Sequence, residues 1–140
     1  MAISQAMCTQ FKRDVMLGVH DLDTHTIRIA LYTSSASLGA ATTAYTTSNE
    51  ISGTGYTAKG PALANASVVT NSTSGCFDAD DPSWTSSTFT ANGALIFNDS
   101  ASSDEAIAVL AFGGDFTVAG GTFTIVFPAQ TASNAIVRID

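Results

Sequence analysis

Three stretches of this chain bring together residue types that could do chemistry. The first is "EISGTGYTAKG", residues 50 to 60, which places three glycines around Lys59. A glycine-rich loop with a lysine cradles phosphate when it reads G-x-x-x-x-G-K-[ST] and opens a helix. Here Lys59 is followed by Gly60 and Pro61, and the proline closes off the helix whose N-terminus would hold the anion. The stretch therefore reads as a flexible corner. The second is "DADDPSW", with Asp78, Asp80 and Asp81 beside Trp84. Alternating carboxylates can gather calcium, but an EF-hand loop needs a bend glycine and a distal glutamate, both missing here. A surface turn closed by Pro82 is the plainer reading. Trp84 then serves as a core or interface anchor, and a sugar-stacking platform flanked by Asp80 and Asp81 is the alternative.

The third stretch, "GVHDLDTH", sets His20 and His25 near Asp21 and Asp23. It lacks a distant third histidine or a cysteine at ligand spacing. Serines are abundant, yet none stands in G-x-S-x-G. No catalytic constellation assembles, so the sequence predicts a non-enzymatic domain with no cofactor and no metal. Cys8 and Cys76 belong to no CxxC pair and read as buried reduced thiols, a bridge being the alternative.

The elements that would position these residues are mostly strands. Residues 4 to 17 predict one helix: Ser4 stands as N-cap, Ile3, Met7, Phe11 and Val15 recur every four residues, and Gly18 is the stop. In "TIRIALYT", residues 26 to 33, Ile27, Ile29 and Leu31 alternate with Arg28, Ala30 and Tyr32, the pattern of a half-buried strand. Residues 34 to 60 lose periodicity and read as a long excursion of small residues. From residue 61 onward, short strand candidates alternate with turn-forming separators, among them "GGD" and "AGG". Phe123, Ile125 and Phe127 share one face. This predicts a single domain over residues 1–140: an antiparallel β-sandwich or barrel-like fold, with a helical segment at 1–18 and the β portion at 26–140.

Composition narrows the function classes. A 140-residue chain buries about 68–70% of its unfolded surface, enough for a core without staples. With 12 acidic against 5 basic residues the net charge is −7, which repels a nucleic-acid backbone. Charged residues make up only 12% of the chain, and a sparsely charged surface suits permanent contacts, whose centres are depleted in charge. The longest apolar run, "AIAVLAF", is too short to span a bilayer, and no secretory signal is evident at the N-terminus, so the expectation is synthesis in the cytoplasm without a membrane partner.

The order of segments carries a resemblance. "MAISQAMCTQFKRDVMLGVHDL", "IRIALYTSSASLGAATTAYTTSNEISGTGYTAKG", "FDADDPSWTSSTFTANGALIFND" and "AIAVLAFGGDFTVAGGTFTIVFP" together resemble a family of small structural proteins of tailed bacteriophages, similar to capsid decoration (cement) proteins. The resemblance implies a virion protein on the capsid surface, made in the host cytoplasm. It would bind the outer shell of the major capsid protein and stabilise it, with its copies grouped as trimers. It also admits a tail or head-fibre module binding host carbohydrate through Asp80, Asp81 and Trp84, or a tail-tube or connector subunit. For the shell contact, the stripe Ile3, Met7 and Phe11 and the excursion around Leu38 and Tyr45 are the candidates, with ordinary intramolecular core as the other reading of each.

Overall fold

Alternating and fully apolar runs build two sheets. The computed structural model describes residues 2–131 and 133–140, leaving Met1 and Ala132 outside the described residues. In chain order the elements are β1 (Ala6–Met7), α1 (Thr9–Met16), β2 (Ile27–Tyr32), β3 (Ser67–Asn71), β4 (Ser74–Asp78), β5 (Ser83–Asn98), β6 (Ala106–Thr124) and β7 (Val137–Ile139). One sheet has the order β1-β6-β5-β2 and the other β3-β4-β7, with every pairing antiparallel. The fold is mainly β and sandwich-like with one short helix, and the sheets do not close into a barrel. Ile29, Leu31, Leu95, Phe97, Ile107 and Val109 of the larger sheet share one buried cluster with Phe77 of the smaller sheet and Phe11 of α1. Each such side chain contributes about 1.5–3 kcal/mol by leaving water. Among the described residues no helix is long and apolar enough to cross a membrane.

The helix begins later than the sequence predicts. Ala6 and Met7 pair with Val109 and Ala108 of β6, and the amides of Ser4 and Cys8 donate to the carbonyls of Leu38 and Ile107, both at 2.9 Å. These groups are committed to strand-like pairing, so Cys8 replaces Ser4 as the residue before the helix. A helix this short is marginal alone, and tertiary pairing overrides the periodicity of Ile3 and Met7. Gly18 does end it: with φ at 73° its amide donates to Val15 while Val19 donates to Asp14, a Schellman closure.

Two separators expected to be turns are interior to a strand. "GGD" and "AGG" both lie within β6, which pairs with β5 from Ala106 to Thr124 in one long hairpin. The register shifts between Ala91 and Gly93, where Asn92 faces the extra residues of β6, and again beside Gly120. These are bulges, which bend a strand without ending it.

The excursion 34–60 is irregular but not loose. It returns along the outer edge of β2: Ile51 donates to the Leu31 carbonyl at 3.0 Å, Ile29 to Pro61 at 3.2 Å, and Leu63 to Ile27 at 2.7 Å. That cover buries Ala30 and Tyr32, the face expected to be open, and leaves β2 without a free edge. The corner "EISGTGYTAKG" permits the approach. A Cβ at Gly60 would sit 1.8 Å from the Ile29 carbonyl oxygen, and its φ of +68° disfavours any side chain. Gly60→Ala should therefore cost about 3 kcal/mol in urea unfolding, whereas Gly113→Ala, with positive φ but nothing within 4 Å, should cost about 1 kcal/mol. Equal losses would mean that backbone conformation alone, not the close approach, sets the requirement.

Candidate functional site

The polar groups most able to do chemistry converge on the corner. The Glu50 carboxylate accepts the Tyr45 hydroxyl at 2.5 Å, the Tyr56 hydroxyl at 2.6 Å and the Lys59 amide at 2.7 Å. Tyr56 Oη in turn accepts the Leu31 amide at 3.0 Å, which ties the corner to β2. The Lys59 ammonium reaches Asp99 at 2.9 Å and Asp104 at 2.8 Å, in the loop between β5 and β6, and lies 5.6 Å over the Tyr45 ring. Arg28 donates to Asp99 at 2.6 Å and to the Gly60 carbonyl at 2.9 Å.

The electrostatics make this cluster a brace. A nucleophilic lysine needs a depressed pKa. Lys59 is pushed upward by its hydrogen bonds to Asp104 and Asp99, and Asp99 is pushed downward by the hydrogen bonds from Lys59 and Arg28. Burial, then the bond to Glu50, raises Tyr45 to about 12 and carries Tyr56 higher still. Each shift holds the group in its resting protonation state at neutral pH, the reverse of what proton transfer requires.

The interface residues expected from sequence are mostly drawn inward. Phe11 and Leu38 are buried in the core, Ile3 and Met7 pack against it, and Tyr45 stacks on Phe97 with ring centroids 4.8 Å apart. Phe11 and Leu38 are therefore corrected to core positions: the periodicity that marked Phe11 faces the sheet, and Leu38 is bridged to Ile3. The proposed sugar platform is also occupied. Trp84 is only 5% exposed and packs on Phe89 and Phe123, with its indole nitrogen buried and unpartnered. Asp81 accepts the Phe127 amide at 2.8 Å and Asp80 accepts from Asn65 at 2.5 Å. His20 and His25 both turn Nδ1 towards the Asn98 amide, at 3.0 and 2.9 Å, and among the described residues no three metal-ligating side chains converge. Cys8 and Cys76 are buried and unbridged, and burial pushes the Cys8 thiol up to about 11.

What remains open is an apolar edge. From Trp84 and Phe89 an aromatic row continues through Phe123 to Phe112 and Phe116, with neighbouring centroids 5.4 to 6.4 Å apart. Its inner end is buried and its outer end is not: Phe116 is 52% exposed and Val126 76%. Phe112, Phe116, Phe123, Ile125 and Val126 line a shallow hollow of about 230 Å³. β1 pairs with β6 only at Ala108 and Val109, so beyond Leu110 that edge of β6 has no strand neighbour among the described residues. No family model, curated protein sequence or solved structure matches this chain. The edge is thus identified by its geometry. The sequence did carry one signal for it: no charged residue occurs from Phe116 to Val137, an unbroken neutral run in a chain of net charge −7.

His20 supplies a pH test of the packing around Asn98. Burial, the largest cause, lowers its pKa from 6.5. Between the folded value and 6.5 the unfolded chain binds a proton that the folded chain does not, so stability rises with pH across that window. The contribution is complete above about 6.5 and is lost as pH falls through the window. The melting temperature should drop from pH 7 to pH 5, and His20→Phe should flatten the drop. An unchanged slope in that variant would show that His20 does not carry the dependence.

Proposed function

We propose that this chain is a non-enzymatic structural protein of a virion, a decoration (cement) protein that binds the outer surface of the major capsid protein shell and stabilises it. The observation that carries the reading is the apolar edge formed by Phe112, Phe116, Phe123, Ile125 and Val126, held out on a braced hairpin. Exposed aromatic surface on a rigid element suits a lasting protein contact, because little conformational freedom is lost when it is covered. The segment order that resembles phage cement proteins supports the same reading.

The mechanism is one of multiplicity. Each copy touches more than one shell subunit, so contacts below about 1,000 Å² apiece hold together through effective concentration. Copies grouped as trimers would multiply those contacts again. Low surface charge allows the acidic chain to lie close to its neighbours without strong repulsion.

Cryo-electron microscopy of purified expanded shells mixed with this protein tests the proposal. The wild-type chain should give density bridging shell subunits on the outer surface. Phe116→Asp combined with Val126→Asp should remove it while leaving the melting temperature within a few degrees, since both side chains are largely exposed. A bare shell with the wild-type chain would overturn the reading.

A further inference from the structure

The edges of β2, β6 and β7 each carry a guard against stray pairing. The excursion covers β2, bulges break the ladder of β6, and β7 holds Arg138 with Asp140 just beyond it. The edge of β3 carries none. It ends the smaller sheet and pairs only with β4 among the described residues. It holds no proline or bulge, and no charged residue occurs from Pro61 to Phe77. Val68 and Val69, on its opposite faces, are 47% and 41% exposed, so both faces of the strand meet solvent.

The turn fixes which backbone groups are free. Asn71 and Ser74 flank a two-residue turn and so exchange both hydrogen bonds; by alternation Val69 does the same with Cys76, and Ser67 with Asp78. Val68 and Thr70 therefore turn their amides and carbonyls outward, where no group among the described residues meets them. Donors and acceptors alternating along an extended strand are matched in full only by another extended backbone. The symmetry of this edge selects which one. Antiparallel pairing with β3 of a second copy, centred on Val69, sets Val68 opposite Thr70 of that copy and Thr70 opposite its Val68. Both become hydrogen-bonded pairs, so four bonds form and every outward group of the two strands is used. Val69 then meets its own counterpart at the close position between them, and β-branched side chains pack well there. Ser67 faces Asn71, and no like charges are opposed although each copy carries −7. We infer that the β3 edge joins two copies of this chain about a twofold axis at Val69, merging their smaller sheets into one. The inference concerns the contact between copies and rests on no part of the shell reading.

Sedimentation equilibrium of the full chain should show monomer and dimer exchanging with concentration below about 1 mM. Hydrogen exchange read by NMR should slow at the Val68 and Thr70 amides as the dimer forms. Thr70→Pro removes an outward amide without touching a bond to β4, and should weaken dimerisation about thirtyfold because two of the four bonds are lost. Val69→Lys and Val69→Asp each set a charge against itself and should each give monomers, whereas an equal mixture of the two should restore the dimer. This charge pair decides alone if circular dichroism shows Thr70→Pro to be unfolded. Phe116→Asp with Val126→Asp should dimerise as the wild type does. A chain monomeric throughout, a trimer as the associated species, a dimer indifferent to a folded Thr70→Pro, or a mixture that stays monomeric would each overturn the inference. Loss of the dimer in Phe116→Asp with Val126→Asp would overturn it too, by moving the contact to the hairpin.

Discussion

The Glu50 carboxylate is the interaction on which the rest of the larger sheet depends. It gathers two tyrosine hydroxyls and a backbone amide at one point, and through Tyr56 it reaches the Leu31 amide of β2. A partly buried carboxylate is tolerated only when its lone pairs are used, and here three donors use them. Because those donors come from Tyr45, Tyr56 and Lys59, one charge fixes both limbs of the excursion. Lys59 then extends the brace across to Asp99 and Asp104, so the loop joining β5 and β6 is tied to the same point. These partly exposed ion pairs are each worth little on their own. Their value lies in sharing members, which spreads the entropic cost of ordering each side chain over several bonds.

With that end of the hairpin tied down, the other end can carry unpaired apolar surface and still be rigid. The aromatic row runs from Trp84 and Phe89, beneath the excursion, out to Phe116 on the open edge of β6. A long, flat apolar edge would template strand addition by any passing chain. The bulges beside Asn92 and Gly120 interrupt the ladder and twist it, so the edge offers side chains rather than a continuous row of backbone groups. The same glycines that mimic turn signals in the sequence thus shape what kind of contact the edge can make.

Much of this was legible in the residues. The mainly β class, the strand "IRIALY", the helix stop at Gly18 and the corner role of "EISGTGYTAKG" all follow from local periodicity and glycine chemistry. The start of the helix was not legible, because Ala6 and Met7 are claimed by β6, some hundred residues later in the chain. Nor was the continuity of β6, since "GGD" and "AGG" have the composition of turns and only pairing with β5 reveals them as bulges. The contact candidates Phe11 and Leu38 were drawn from apolar side chains that pack inward. The surface that stays open, at Phe116 and Val126, was marked only by the charge-free run that begins at Phe116.

The return of the excursion along β2 also bears on how the chain is made. β2 finds its sheet partner in β5, with Ile27 opposite Asn98, so the strand leaves the ribosome long before the partner that completes it. Contacts so distant in sequence form slowly, and an apolar strand waiting for them is exposed to misassociation. The segment from Asn49 to Leu63 arrives much sooner and supplies hydrogen bonds to the same strand on its other side. The excursion thus gives one edge of β2 hydrogen-bonded neighbours that lie much nearer in sequence than the β5 residues on its other edge.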